Sequence, residues 1–449
     1  MTPRTRTKVL ERSPDGGVVT FSEVPGGLRV VTESVPGSRS ASVGIWVGVG
    51  SIDETPRLSG ASHFLEHLLF KGTSTRSGRE IAIAVDAVGG DLNAFTSHEY
   101  TCYYAHVLAA EAGMAVELVC DVVLDASITS PDVDVERQVI LEEIAMRDDD
   151  PEDVLNDMFS STVFAGEVLA HPVIGTVETI EALTRTQIAG YYRRRYDPSR
   201  MVVSVAGGIE HTDVLRWVRR AFGPYLDAAV SPAVPRIGST RGVPRGGALA
   251  VIERDTEQAH LCVGVRALPR HDPRRHALAV WSTALGGGMS SRLFREIREE
   301  RGLAYSCYTS TSAYAGTGSF SVYVGCQPDN LAEAVQVVHH ELRTSLAGLT
   351  DEEITRAQGQ LIGSTILGLE DSESKMSRIG KSELVRGTYR SVQDELDAIS
   401  AVTAADIQAL SHELLARPVS AGVVGPYAHD NDTPEALRSL VADGIGGGP

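Results

Sequence analysis

Cysteine is scarce in this chain and shows no pairing pattern. Its five, Cys102, Cys120, Cys262, Cys307 and Cys326, are an odd number, and no two form a Cys-x-x-Cys pair. That argues against a disulfide framework and against a thiolate zinc site, and it fits a reducing, cytoplasmic compartment. Positive charge is short as well: 41 Lys+Arg against 59 Asp+Glu leave a formal net charge of −18. Nucleic-acid binding needs the opposite balance, so no nucleic-acid partner is expected. An acidic site would favour basic peptides, although a solvated acidic surface is the commoner meaning of such a balance. Lysine stands only at 8, 71, 375 and 381 beside plentiful arginine, which we read as codon bias of a GC-rich, bacterial genome. No apolar run approaches the roughly 20 residues that cross a membrane, so no membrane partner is expected. Met1–Gly17 carries Arg4, Arg6 and Lys8 with no apolar stretch after them, which argues against a secretory signal; Glu11 and Asp15 argue against a mitochondrial leader. Residues 1–17 read as a flexible tail.

What the chain does have is Ala61-Ser-His-Phe-Leu-Glu-His-Leu-Leu-Phe70. Written as a helix, it puts His63 and His67 one turn apart on one face, with Glu66 bordering it. Two imidazoles so placed can hold one metal ion, and the carboxylate beside them can take a proton from a metal-bound water. A lone histidine on an apolar face is more often a hydrogen-bonded core residue; the full His-x-x-Glu-His pattern is more specific. A third ligand must come from elsewhere. On the predicted helix Asp132–Asp148, with Glu136 at zero and about 100° per residue, Glu143 falls near 340°, inside the apolar set Val139, Ile140 and Ile144, and Glu142 falls near 240°, at its edge. Glu136 lies two turns before Glu143 on the same face. A carboxylate there needs a partner. A metal would serve, and so would a buried arginine.

Taken in order, the chain reads as strands at 18–24, 28–33 and 41–49, the metal-motif helix, a helix at 80–88, strands at 91–97 and 100–107, and a long helix at 109–124. A helix at 184–192, a strand at 201–206 and a helix at 212–222 follow. Asp148-Asp149-Asp150-Pro151-Glu152-Asp153 reads as a solvated loop and the cap of a helix. Residues 227–247, rich in proline and glycine, read as a linker. After it the pattern restarts. Ala259–Val265 lies on Ala41–Val47 at an offset of 218, and Thr403–Ile407 lies on Thr184–Ile188 at 219. We therefore expect two copies of one domain, at 18–226 and 248–449. In the second copy His63, Glu66 and His67 become Trp281, Ala284 and Leu285, and Glu143 becomes Ile362. Their joint loss ties His63, His67 and Glu143 together as one unit. Gly286-Gly287-Gly288 lacks the Gly-Lys-Ser/Thr of a phosphate loop and reads as a helix break.

His63-Phe-Leu-Glu-His67 with Leu-Leu-Phe-Lys-Gly-Thr73 resembles the inverted zinc motif of the pitrilysin-type metallopeptidases, which include the mitochondrial processing peptidases. Gly89-Gly-Asp-Leu-Asn-Ala-Phe-Thr-Ser97, Glu136-Arg-Gln-Val-Ile-Leu-Glu-Glu143 and Leu293-Phe-Arg-Glu-Ile-Arg-Glu-Glu-Arg-Gly-Leu-Ala-Tyr305 follow in family order. The length resembles the short bacterial and mitochondrial branch, and the intact zinc motif resembles its catalytic subunit. The resemblance implies an α+β fold of two homologous α/β-sandwich domains closing as a clamshell around a chamber. It also implies a zinc endopeptidase with one Zn2+ per chain, acting on extended or short peptides and working as a homodimer. It makes His63, His67 and Glu143 the metal ligands, Glu66 the general base and Glu136 an accessory carboxylate. Arg298 and Tyr305 become an Arg–Tyr pair that meets substrate and transition state. Asn93, Ala94 and Phe95 become the edge strand on which a peptide lies. The competing reading is a non-catalytic peptide-binding or scaffold subunit of the same fold. Loss of a ligand would favour it, and none is lost. A hydrolase acting on non-peptide substrates is a third reading, against which the edge-strand motif argues.

Overall fold

The computed structural model describes residues 5–14, 16–226, 230–238 and 247–446. In chain order the elements are β1 Arg6–Arg12, β2 Val18–Glu23, β3 Arg29–Ser34, β4 Ser40–Val47, α1 Ala61–Leu69, α2 Gly78–Asp86, β5 Asp91–Thr96, β6 Thr101–Leu108, α3 Ala112–Leu124, α4 Ser130–Asp149, α5 Pro151–Val163, α6 Val177–Ala182, α7 Arg185–Arg195, β7 Met201–Gly207 and α8 His211–Phe222. Then come β8 Leu249–Glu253, β9 Ala259–Ala267, α9 Arg275–Gly286, β10 Ala304–Ala313, β11 Gly318–Cys326, α10 Leu331–Ser345, α11 Asp351–Leu367, α12 Ser372–Arg386, α13 Val392–Ser400, α14 Ala404–Leu415, β12 Ser420–Gly425 and α15 Glu435–Asp443.

The chain forms two compact units, each α+β. The first comprises Met1–Ile144, Pro172–Arg236 and Leu367–Ser391, and the second comprises Ala145–His171, Ile237–Ile366 and Val392–Pro449. The first unit holds a seven-stranded sheet ordered β1-β2-β3-β7-β4-β6-β5, and the second a five-stranded sheet ordered β10-β11-β9-β12-β8. Read from its β5 edge, the first sheet repeats the second strand for strand. The pairs are antiparallel except β3–β7 in one and β8–β12 in the other, which are parallel. The repeat expected from the sequence is therefore present in the backbone. Thr184 and Thr403, matched in that repeat, both cap helices, each accepting from the backbone N–H three residues on.

Two expectations need correction. Residues 1–17 are not simply a tail: Arg6–Arg12 pairs antiparallel with β2 as an edge strand. Its charged side chains hid it from an apolar-alternation reading, yet charge is what guards an exposed edge. The second correction is to domains contiguous in sequence. α5, from the first half, packs on β9 and β12 of the second unit, and α12, from the second half, packs on β4 and β7 of the first. Each helix buries its apolar face there: Leu155, Met158 and Phe159 on α5, and Met376, Ile379, Leu384 and Val385 on α12. Glycines admit them. A Cβ on Gly44 would meet Met376 Sδ at 2.4 Å, and one on Gly422 would meet Met158 Cε at 2.9 Å. Of the expected linker, 227–229 and 239–246 lie outside the described residues. Residues 230–238 form no regular element; Ala233 N–H donates to Ser199 O (2.8 Å) and Arg236 pairs with Asp53 (2.5 Å).

In the first unit the larger core lies between one sheet face and α1, α3, α7 and α8, while Trp46, Tyr100 and Cys102 join α12 on the other face. The second unit buries a comparable core under α9, α10, α14 and α15.

Candidate metal centre

α1 is short, and most of its surface is buried. Ala61, Ser62, Phe64, Leu65, Leu68 and Leu69 fill the core and leave His63, Glu66 and His67 on the half-buried line between. Gly60, at φ +88°, opens the helix without a side-chain cap of its own. Glu54 does that work from outside, accepting from Gly60 N–H (2.8 Å) and Ser62 N–H (2.6 Å). Burial pushes the Glu54 carboxyl up to about 7, with these bonds acting in the opposite direction.

His63 Nε2 lies 3.7 Å and His67 Nε2 3.5 Å from the same atom, Glu143 Oε2. Both are too long for good hydrogen bonds. They match the roughly 3.4 Å that separates two ligands each about 2.1 Å from a tetrahedral ion. Among the described residues this is the one group of three or more His, Cys, Asp or Glu side chains able to hold a metal ion. The donor chemistry fits too. Glu136, buried on α4, receives His67 Nδ1 at 3.1 Å. A carboxylate only accepts, so His67 donates through Nδ1 and its Nε2 lone pair faces Glu143. The other oxygen of Glu136 is held by Lys71 Nζ at 2.6 Å. Burial, with His67 nearby, lowers the His63 pKa to about 4, so the ring stays neutral, the form that ligates metals. Its Nδ1 is buried and has no hydrogen-bond partner. Glu66 accepts from Thr96 Oγ1 at 2.6 Å, and burial raises its pKa while that bond opposes the rise.

α4 brings Glu143 to the histidines, but its buried stripe is Val133, Glu136, Ile140 and Ile144. Val139, expected inside the apolar face, is 40% exposed. Glu143 thus sits at the edge of the stripe, where a ligand can be reached. The alternative of a buried arginine partner is not what the structure shows. Asn93, Ala94 and Phe95 lie on β5, the edge strand. Arg298 and Tyr305 lie in the second unit, where the guanidinium carbon of Arg298 stands 4.4 Å from the Tyr305 ring centre and 4.8 Å from that of Phe294. Tyr305 is 76% exposed.

A family model for insulinase, peptidase family M16, matches residues 29–177, and one for the inactive domain of M16 peptidases matches 182–361. An uncharacterized zinc protease of Streptomyces coelicolor is 51% identical over 94% of this chain and 93% of its own. This chain belongs to peptidase family M16. Other relatives include an uncharacterized zinc protease of Mycobacterium leprae (52% identical, 94% of this chain and 95% of its own) and the uncharacterized zinc protease YmxG of Bacillus subtilis (37%, 89% and 96%). A crystal structure of a protease from Helicobacter pylori has the same fold, with a TM-score of 0.81 at 22% identity, covering 95% of this chain and 100% of that one. A peptidase M16 inactive domain from Pseudomonas fluorescens does likewise, at 0.81, 17%, 91% and 98%. The M16 inactive-domain model spans Trp281, Ala284 and Leu285, the stretch where the second copy lacks the candidate ligands.

Lys71 and Thr96 escaped the sequence reading. The signal for Lys71 was its place four residues after His67, in the turn that follows α1. For Thr96 it was the strand alternation, which turns residues 92, 94 and 96 to one face.

Proposed function

We propose that this M16 protein is a zinc endopeptidase of the processing-peptidase kind. It cleaves extended or short peptides, basic ones favoured, and works in the cytoplasm as a homodimer with one Zn2+ per chain. The observation that carries this reading is the convergence of His63 Nε2 and His67 Nε2 on Glu143 Oε2, with Glu66 on the same helix. Two neutral imidazoles and one carboxylate are a donor set of catalytic rather than structural zinc sites, with one position left open. When bound, zinc acidifies a water molecule and polarises a carbonyl. Glu66 takes the proton of the attacking water and returns it to the leaving amine; its burial, which raises its pKa, suits it to both tasks. Thr96 holds one oxygen of Glu66 and leaves the other for the reaction. Glu136 fixes the His67 ring.

Along the edge strand of Asn93, Ala94 and Phe95, it is Ala94 whose main-chain groups face the open edge, where an added peptide strand would replace the Asn93 Oδ1 that now accepts its N–H (2.8 Å). For Arg298 and Tyr305 the proposed roles are holding the substrate main chain and hydrogen-bonding the oxyanion. The compartment is supported by five cysteines that are all buried and free. No helix among the described residues is long and apolar enough to cross a membrane. The net charge of −18 supports basic peptides, and the homodimer rests on family resemblance.

The test is Glu66→Gln. The variant should keep zinc and lose about 10²- to 10⁴-fold in turnover of a fluorogenic peptide. Full turnover by the zinc-loaded variant would overturn the mechanism. A zinc-loaded wild type that binds peptides and cleaves none would favour the scaffold reading.

A further inference from the structure

An added strand at β5 would send its side chains alternately to the two faces of the sheet. One face is the metal face: Thr96 reaches Glu66 there, and Leu92 and Ala94 pack on the core beneath α1. The other face is turned toward α12, and β5 presents Asp91, Asn93 and Phe95 along it. Asp91 and Asn93 are exposed and polar, so Phe95 is the one apolar side chain on that line. Its ring meets Trp46 (centroids 5.8 Å, 76°), Tyr100 (6.2 Å, 80°) and Tyr104 (6.3 Å, 60°), all edge-on. Trp46 and Tyr100 are buried and fix the ring from below, while Phe95 itself remains 38% exposed at the open edge. A rigid aromatic surface beside an unpaired strand edge costs little ordering entropy when an apolar side chain covers it.

We infer that Phe95, braced by Trp46, Tyr100 and Tyr104, forms a specificity subsite on the sheet face opposite the metal centre. It selects peptides that carry a bulky aliphatic or aromatic residue directly across from it. This rests on the peptidase reading and adds a side-chain preference to the main-chain role of β5. The contact is the same in bound substrate and in transition state, so it acts on KM rather than kcat. Cross-strand aromatic pairs of this kind are worth about 2- to 10-fold in binding.

The test is a positional peptide library cleaved by the zinc-loaded full chain, wild type against Phe95→Ala and Phe95→Leu. In the wild type, one library position should favour Phe, Tyr or Leu over Ser by about 2- to 10-fold in kcat/KM, carried by KM. Phe95→Ala should erase the preference at that position alone, and Phe95→Leu, which keeps an apolar side chain, should retain aliphatic selection there. A profile unchanged in both variants, with cleavage intact, would overturn the subsite and leave the peptidase reading standing. Absence of any cleavage by the wild type would overturn both. If Phe95→Ala fails to fold, Phe95→Leu and Phe95→Tyr decide: loss of selection in both would contradict the inference.

Discussion

The two units share a five-strand order, and they part chemically at one helix. α1 of the first carries His63, Glu66 and His67; α9 of the second carries Trp281, Ala284 and Leu285 at the positions 218 residues later. All three residues of α9 are buried, and Trp281 packs on Phe320 (centroids 4.4 Å) and donates Nε1–H to Ser345 Oγ at 3.3 Å. The second unit shows what the fold asks of this helix: apolar bulk and satisfied polar atoms. The first departs from that. It holds a His63 kept neutral by burial, with its Nδ1 lacking a partner, and a burial-perturbed Glu66. Such departures mark groups kept for chemistry rather than for packing.

The largest expected effect comes from making the first unit more like the second. His63→Leu should lose zinc and all measurable peptide cleavage. It removes an unsatisfied buried nitrogen, whose usual penalty is about 1–3 kcal/mol. The metal-free variant should therefore melt no lower than the metal-free wild type by calorimetry. A lower midpoint would mean that His63 stabilises the fold and that the comparison between units misleads.

Much of this contrast was legible in the sequence, because it depends on local spacing. The His-x-x-Glu-His pattern, the 218-residue offset and the vacant second copy are all one-dimensional. Glu143 was reached through helical projection, although the true buried stripe runs through Glu136 and leaves Val139 outside. The exchange of α5 and α12 was not legible. Periodicity shows that a helix has an apolar face and says nothing about which sheet will cover it. β1 was lost for a related reason: alternation finds half-buried strands, and an edge strand of charged residues lacks that signature. Lys71 and Thr96 were missed because their partners, Glu136 and Glu66, lie 65 and 30 residues away in sequence and meet them only through the fold.

A smaller effect should follow at Lys71, which the second unit does not reproduce: 218 residues on stands Met289, 81% exposed. Lys71 orients Glu136, and Glu136 orients His67. Loss of such an outer partner typically weakens metal binding about 10- to 100-fold. Lys71→Met should do so in a chelator competition, while Lys71→Arg should retain most of the affinity. Unchanged zinc affinity in Lys71→Met would detach Lys71 from the centre.

The smallest effect separates the units by pH. In the first, burial raises the folded pKa of Glu54 to about 7 from an unfolded value near 4.5, so this group makes the fold less stable as pH rises from about 4.5 through 7. In the second, the Arg292 ion pair (2.6 Å) depresses Glu353 to about 2, so its contribution is complete above about 4.5 and is lost as pH falls toward 2. Thermal melts should show Glu54→Gln flattening the slope between pH 5 and 7, and Glu353→Gln differing from wild type at neutral pH and converging with it in acid. The same slope in every variant would remove the distinction.

On the proposed function the molecule holds one metal site, and that site belongs to the first unit. Zinc counted per chain by elemental analysis, in wild type and in His63→Leu, decides this. One zinc is expected in the wild type and none in the variant; a second tightly held zinc in the wild type, or zinc retained by His63→Leu, would contradict a single site in the first unit.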